Sequence, residues 1–346
     1  MTTPQTKQPS TRLVEARELA HQAQSADARG QPHDALALFD RAIAMIDSGP
    51  HDALLADILR WKGSTHRDRG ETYIAQQHYE RSLSVATACD AGSARAHALN
   101  CLGIIAQRRG DMDRAAGYYT EAAACAGKQG DQQLCGMIGQ NRGVLANIQG
   151  DHPAALARYT ESLSGFEAAG NDEACSWVLN NLGMLYSAEG RVEAADAAFG
   201  TGFDLAERRG DRRMQGLIQL NQAEHRLGLG DLDDADRRVA QVLQLAAERG
   251  DSLHGAEAFK LRGQIEFQRG LLDAADSSLR RARDLAESVD DALLVAEVLR
   301  ELAEVADARG ERDRARSVLR QSRESFRGLG AKRDLDHTAA RLTLLR

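Results

Sequence analysis

Amide side chains recur at a fixed interval through the middle of this sequence, where they could hydrogen-bond to another polypeptide. Asn141, Asn181 and Asn221 are each separated by 40 residues. An asparagine amide both donates and accepts hydrogen bonds, so three in register could pair with the N–H and C=O groups of an extended peptide. Each such bond contributes a net ~0.5–1.5 kcal/mol, whereas micromolar affinity needs about 8 kcal/mol. Apolar side chains nearby would therefore have to supply most of the binding free energy.

Large apolar side chains lie near these asparagines in the sequence, and Trp177, one of the two tryptophans of the chain, is among them. The residues that we predict to bind a partner are Trp61, Asn100, Met137, Asn141, Trp177, Asn180, Asn181, Met184 and Asn221. An alternative interpretation stays open, in which the asparagines hydrogen-bond to neighbouring helices or to water and only stiffen the fold. Charged residues replace this uncharged group in both directions along the chain, as at Arg60 and Glu257.

No arrangement of residues in the sequence predicts catalysis or metal binding. His33 and Asp34 resemble the His-Asp pair of metal-dependent phosphohydrolases, but they lie at a predicted helix start, where aspartate is favoured. Cys135 and Cys175 are 40 residues apart, yet no histidine or second cysteine completes a zinc-binding set. The motifs GxxxxGK[ST], HExxH and GxSxG are absent from the sequence. We therefore predict no catalytic residue, no metal site and no cofactor.

Glycine marks a strict period of 40 residues, which sets the elements that must position these side chains. The first series of glycines is Gly30, Gly70, Gly110, Gly150, Gly190, Gly230, Gly270 and Gly310. The second series, half a period later, is Gly130, Gly170, Gly210, Gly250 and Gly330, with Gly49-Pro50, Asp90 and Asp290 at the remaining places. A left-handed glycine commonly ends a helix, and the aspartate that often follows can cap the next helix. Eight units of 40 residues, each of two helices, are thus predicted to fill residues 11–330.

Two further sets of positions predict how these helices pack. Alanine lies five residues after every glycine of the first series, from Ala35 to Ala315. Seven residues before that glycine the residue is always Gly or Ala, although a glycine inside a helix costs up to about 1 kcal/mol. This pattern indicates close approach of two helices. Nine residues after the glycine, a large side chain from Phe39 to Leu319 would fill the space between a hairpin and its neighbour.

The order of these residues resembles the tetratricopeptide repeat family. In the stretch from Asn181 to Phe199 it is a small residue at Gly183, a turn glycine at Gly190, then Ala195 and an aromatic residue. The resemblance covers about 320 of the 346 residues. The unit is 40 residues rather than the common 34, and a 40-residue unit is similar to that of kinesin light chain-like adaptors and bacterial peptide-sensing regulators. It implies an all-α, right-handed superhelical solenoid of about eight helical hairpins, whose first helices line a concave surface.

The predicted binding residues all fall on the first helix of a unit, 13, 10, 9 or 6 residues before a glycine of the first series. These offsets share one helical face. The carboxylate clamp of chaperone-binding family members needs Lys, Arg and Asn at set positions of adjacent units, and Arg60, Ser64 and Cys101 do not match it. Residues 1–10 are predicted to be a disordered tail, and residues 331–346 a helix that caps the last hairpin.

Composition sets limits on where the protein works and what it binds. The formal net charge is −7, which argues against nucleic acid and anionic membranes as partners. Neither a membrane span nor a secretory signal is visible, and five cysteines form no even disulfide framework. These features favour a cytoplasmic protein with reduced thiols, and they leave its oligomeric state open.

Together these patterns predict a non-enzymatic module that binds an extended peptide or partner segment in a concave groove, as an adaptor or regulator. The alternative is a sensor or regulatory subunit of a bacterial signalling or transcription system. The last residues resemble the ends of repeat regions in bacterial transcription activators. Since only 10 residues precede the units and 16 follow them, we expect such a subunit to act through a separate effector chain.

Overall fold

The computed structural model describes residues 9–29, 31–47, 52–69, 71–289, 291–329 and 331–345. The predicted turn residues Gly30, Gly49, Pro50, Gly70, Asp290 and Gly330 lie outside these ranges, as do the first eight residues of the predicted N-terminal tail.

Helices account for nearly all of the described residues, and no strand occurs among them. In chain order they are α1 (Pro9–Ala28), α2 (Pro32–Ile46), α3 (Ala53–Asp68), α4 (Thr72–Ala88), α5 (Gly92–Arg108), α6 (Met112–Gln129), α7 (Gln132–Ile148), α8 (His152–Ala168), α9 (Asp172–Ala188), α10 (Val192–Arg208), α11 (Arg212–Gly228), α12 (Leu232–Arg249), α13 (Ser252–Gln268), α14 (Leu272–Ser288), α15 (Ala292–Ala308), α16 (Arg312–Leu329) and α17 (Lys332–Leu344). The predicted all-α fold of two helices per 40-residue unit, followed by a C-terminal helix, is confirmed.

The chain forms two compact units, Met1–Leu145 and Ala146–Arg346, with the boundary inside α7. In the first unit, hairpins form between α1 and α2, α3 and α4, and α5 and α6. In the second unit, the hairpins are α9 with α10, α11 with α12, α13 with α14, and α15 with α16. Within each unit, the second helix of a hairpin packs on the first helix of the next, and α16 packs on α17.

The turns between helices confirm the prediction that a glycine ends one helix and the aspartate after it caps the next. Gly150 has a φ of 79°, which an L side chain rarely adopts. Asp151 follows, and its carboxylate accepts a hydrogen bond from the backbone N–H of Ala154 at 3.1 Å, capping α8. Five further aspartates that follow a glycine cap their helices in the same way: Asp111, Asp131, Asp211, Asp231 and Asp251.

The predicted small and large positions meet inside the hairpins. All eight alanines of the series from Ala35 to Ala315 are fully buried, and so are the large residues four positions later. A Cβ atom added at Gly183 would lie 2.5 Å from the Phe199 ring, and one at Gly63 would lie 2.7 Å from the Tyr79 ring. Glycine is therefore required at these positions, where an aromatic ring of the second helix packs directly against the first helix.

Tyr79 also packs beyond its own hairpin, in one cluster with Leu102 and Ile105 of α5. The large residue thus links neighbouring hairpins, as the sequence predicted. Among the described helices, none combines the length and the hydropathy that a membrane crossing requires.

Candidate peptide-binding surfaces

The predicted binding residues fall into two groups, one in each compact unit. We call Trp61, Asn100, Met137 and Asn141 of the first unit the first surface. We call Trp177, Asn180, Asn181, Met184 and Asn221 of the second unit the second surface.

The second surface has large apolar side chains exposed on α9. The side chain of Trp177 is 37% exposed and that of Met184 is 41% exposed. The opposite side of α9 is packed, because Val178 and Leu185 are completely buried. Positions 177, 181 and 184 are spaced by four and three residues, which places them on one helical face. An exposed tryptophan and methionine on one face are typical of a surface that binds another molecule.

Asn180 and Asn221 connect α9 to α11. Asn180 is only 3% exposed, and its Oδ1 accepts a hydrogen bond from Asn221 Nδ2 at 2.8 Å. Its own amide nitrogen lies 3.9 Å from the sulfur of Met184. Asn180 therefore holds two neighbours of the surface in place rather than facing a ligand itself.

Asn181 differs from both, because its amide has no hydrogen-bond partner among the described residues of the second unit. The side chain is half-buried and lies on α9 between Trp177 and Met184. It therefore offers a donor and an acceptor beside two exposed apolar side chains.

A charged recess continues the second surface across α11, α13 and α15. It has a volume of about 240 Å³ and is lined by Asn221, Glu224, Glu257, Lys260, Glu297, Arg300 and Glu301, among others. Lys260 Nζ donates to Glu297 Oε2 at 2.6 Å, and burial raises the pKa of Glu257 and of Glu301. Carboxylates exceed cations in this recess, so it favours a positively charged group.

The first surface repeats the asparagine pair of the second. Asn100 is buried, and its Oδ1 accepts a hydrogen bond from Asn141 Nδ2 at 2.9 Å. Met137 is 38% exposed. Trp61 is half-buried against a cluster of residues from α1 to α5, and the guanidinium of Arg60 lies 5.4 Å from its ring centre.

His97 lies on the same helix as Asn100, three residues earlier. Burial, reinforced by the positive charge of Arg60, lowers its pKa to about 4. The imidazole is therefore neutral at pH 7 and can donate or accept a hydrogen bond without adding charge to the first surface.

The structure divides the predicted asparagine row into two kinds of residue. Asn141 and Asn221 each hydrogen-bond to the preceding repeat, as the alternative interpretation expected, while Asn181 has a free amide within its unit. The role of Asn100 and Asn180 as buried acceptors was missed by the sequence analysis. The signal was present, because both pairs are separated by 41 residues.

The cysteines and the histidine that were considered as metal or catalytic residues lie in the core or beside an arginine. Cys175 is buried, and Cys135 packs against the core cluster of α5–α7. His33 lies 3.3 Å from a guanidinium nitrogen of Arg69. Within the described ranges, no group of three or more His, Cys, Asp or Glu residues is arranged to hold a metal ion.

Comparison with known proteins agrees with this architecture. Residues 98–133 and 135–208 match two models of the tetratricopeptide repeat. No curated protein sequence matches the chain.

Solved structures of similar fold cover almost the whole chain. A Rap protein complexed with competence and sporulation factor is 12% identical with a TM-score of 0.67, and the match covers 96% of this chain and 98% of that one. The Rap conjugation gene regulator of plasmid pLS20, in complex with the Phr* peptide, is 15% identical with a TM-score of 0.65, covering 84% and 80%.

A third similar structure is a signal transduction ATPase with numerous domains from Pyrococcus horikoshii, which carries a tetratricopeptide repeat sensor. It is 13% identical with a TM-score of 0.60, and the match covers 99% of this chain and 53% of that one. At these identities the likeness concerns the fold. The repeat models, the 40-residue hairpins and these structures together show that the chain is a tetratricopeptide repeat protein.

Proposed function

We propose that this protein is a non-enzymatic regulator that binds an extended peptide or partner segment through its first helices. The observation that carries the proposal is the face of α9, where the free amide of Asn181 lies between the exposed Trp177 and Met184. An apolar side chain of the ligand would pack on Trp177 and Met184. Its backbone would hydrogen-bond to Asn181, because an amide can serve both an N–H and a C=O group.

The charged recess adds a preference for the ligand's sequence. Glu224, Glu257 and Glu301 line it beside one lysine and one arginine. We therefore expect a basic residue in the part of the ligand that lies against α11, α13 and α15. Two of the similar structures are Rap proteins, one in complex with the Phr* peptide and one with competence and sporulation factor, which supports a peptide as the ligand.

This function could take two forms: an adaptor or regulator that holds its partner directly, or a regulatory subunit that acts through a separate effector chain. Both forms need a peptide-binding surface and no chemistry on this chain. They differ in whether the bound partner changes activity or only location.

A random peptide library displayed on phage and panned on the full chain tests the proposal. The selected peptides are titrated by fluorescence polarisation against the wild type, Trp177→Ala and Asn181→Ala. We expect Trp177→Ala to cost about 2 kcal/mol, or roughly thirtyfold in affinity, as for an aromatic anchor. Asn181→Ala should cost about 1 kcal/mol, or roughly fivefold.

Leu271→Ala is the matched control. Leu271 is 52% exposed, so it is an exposed apolar residue like Trp177 and Met184, but it lies in the turn before α14. The proposal is wrong if the library yields no binder, or if the selected peptides bind both surface variants with wild-type affinity.

A further inference from the structure

A second charged recess lies at the C-terminal end of the second unit, between α16 and α17. Arg316, Arg320 and Arg323 line one side of it, and residues of α17, among them Leu342 and Thr343, line the other, around a volume of about 140 Å³. We call this recess the arginine pocket. The three arginines are spaced by four and three residues, so they lie on one face of α16 along about 10 Å of the helix axis.

The three arginines have no ion pair with any carboxylate that the structure describes, whereas other arginines of these two helices do. Arg314 pairs with Glu311 at 2.7 Å, and Arg341 pairs with Glu304 at 2.7 Å. Two exposed residues of α17, Asp336 and His337, are likewise not paired with the arginine pocket. The Nε atom of Arg323 is buried, with no hydrogen-bond acceptor among the residues that the structure describes.

The chain contains its own comparison, 40 residues earlier on α14, where Asp276, Arg280 and Arg283 occupy the same places in the repeat. There the charges are balanced. Asp276 accepts a hydrogen bond from Arg280 at 2.6 Å, and Arg283 pairs with Asp284 at 2.8 Å.

On α16 an arginine takes the place of that aspartate, so three like charges face one recess. A terminal repeat needs a polar outer face, but mixed signs serve solubility with less repulsion than three cations. The excess positive charge therefore needs an explanation other than solubility.

We propose that the arginine pocket binds a phosphate group. A guanidinium is a planar fork of donors that matches phosphate oxygens. A carboxylate carries one negative charge and can satisfy one such fork, whereas a phosphate carries nearly two charges and enough oxygens for several. The recess is small and the net charge of the chain is −7, which favours a single phosphate group over a polyanion.

The phosphate could be free inorganic phosphate or a phosphoryl group on a partner's side chain. This site lies on α16 and α17, away from Trp177 and Asn181 on α9. It does not depend on the peptide-binding proposal.

Calorimetric titration of the full chain tests the inference. The probes are inorganic phosphate, a phosphoserine peptide and the same peptide without phosphate, in chloride buffer at one fixed ionic strength, because exposed charges are screened by salt. Arg320→Gln alters an exposed side chain, so the fold should be kept. We expect it to weaken phosphate binding by about tenfold or more, while Arg280→Gln, its counterpart on α14, leaves binding unchanged.

Arg316→Asp gives a second measurement, because it places a carboxylate four residues before Arg320, as Asp276 lies before Arg280. We expect this variant to lose phosphate binding altogether. Tighter binding of the phosphoserine peptide than of inorganic phosphate would identify a phosphorylated partner, and the reverse would identify the free ion. The inference is overturned if neither phosphate probe binds the wild type saturably, or if Arg280→Gln weakens binding as much as Arg320→Gln.

Discussion

Asparagine at one position of the repeat has two different environments in this protein. Asn181 and Asn221 occupy equivalent places in successive 40-residue repeats. Of these two, only Asn221 has an asparagine 41 residues before it, at Asn180. That buried residue accepts the Asn221 hydrogen bond. The net contribution of such a bond is about 1 kcal/mol, and an orphaned buried amide costs about 1–3 kcal/mol.

A double-mutant cycle on Asn180→Ala and Asn221→Ala should therefore show coupling. We expect the two substitutions to be non-additive by about 1 kcal/mol in the free energy of unfolding, measured by urea denaturation. The matched cycle of Asn181→Ala with Asn221→Ala should be additive within about 0.5 kcal/mol. Equal coupling in the two cycles would contradict the assignment of Asn181 as the free amide.

Part of the candidate site followed from helical periodicity alone. Trp177, Asn181 and Met184 were predicted to share a face, and the structure leaves that face partly exposed. The burial of Asn180 could not be predicted from its own helix, because it depends on how closely α11 approaches α9. The same holds for the charged recess, whose residues come from three helices.

At the scale of the helix pair, each hairpin depends on a small residue facing a large one. Gly183 faces Phe199, and Gly63 faces Tyr79. Where the small residue is alanine, the large partner varies in size. Ala223 packs with Val239 in one buried cluster, whereas Ala23 lies in one buried cluster with Phe39.

Gly183→Ala should lower the free energy of unfolding despite the higher helix propensity of alanine. The added methyl would overlap the Phe199 ring, and overpacking costs about 1–3 kcal/mol. Gly165→Ala on α8 is the matched control, because its Cβ would have no described atom within 4 Å beyond its own helix backbone. That variant should gain up to about 1 kcal/mol.

Adding Phe199→Val to Gly183→Ala would recreate the pairing of Ala223 with Val239 and should recover part of the loss. Thermal and urea denaturation measure all three variants. The packing explanation fails if Gly183→Ala is as stable as Gly165→Ala.

Element boundaries were the most predictable feature of the fold, since they rest on local chemistry. Gly150 and Asp151, for example, end α7 and begin α8 through a left-handed glycine and an aspartate cap. Both interactions involve residues within four positions in the chain. Contacts between helices could be predicted only where the period itself brings residues together, as for Gly183 and Phe199.

At the scale of the whole molecule, repeat proteins are stabilised by contacts between neighbouring repeats. In the second compact unit, aspartates on the second helix of a hairpin form ion pairs with arginines of the following hairpin. Asp196 pairs with Arg226 at 2.6 Å, and Asp276 pairs with Arg314 at 2.5 Å. Burial alone would raise the pKa of Asp276, but hydrogen bonds from Arg280 and Arg314 outweigh it and lower that pKa. The carboxylate is therefore stabilised in its charged form where α14 meets α16.

Asp276→Asn should destabilise this end of the protein without reaching distant repeats. Its removal leaves Arg280 and Arg314 without their shared partner, which should cost roughly 2–3 kcal/mol. Each 40-residue repeat contacts mainly its neighbouring repeats. Hydrogen exchange, measured by mass spectrometry, should therefore become faster in α14, α15 and α16 and stay unchanged in α9 and α10. Asp284→Asn, at an exposed pair with Arg283, should change exchange little. If exchange became equally faster throughout the second compact unit, that unit would unfold as one cooperative block. The ion pairs between repeats would then not stabilise the protein locally.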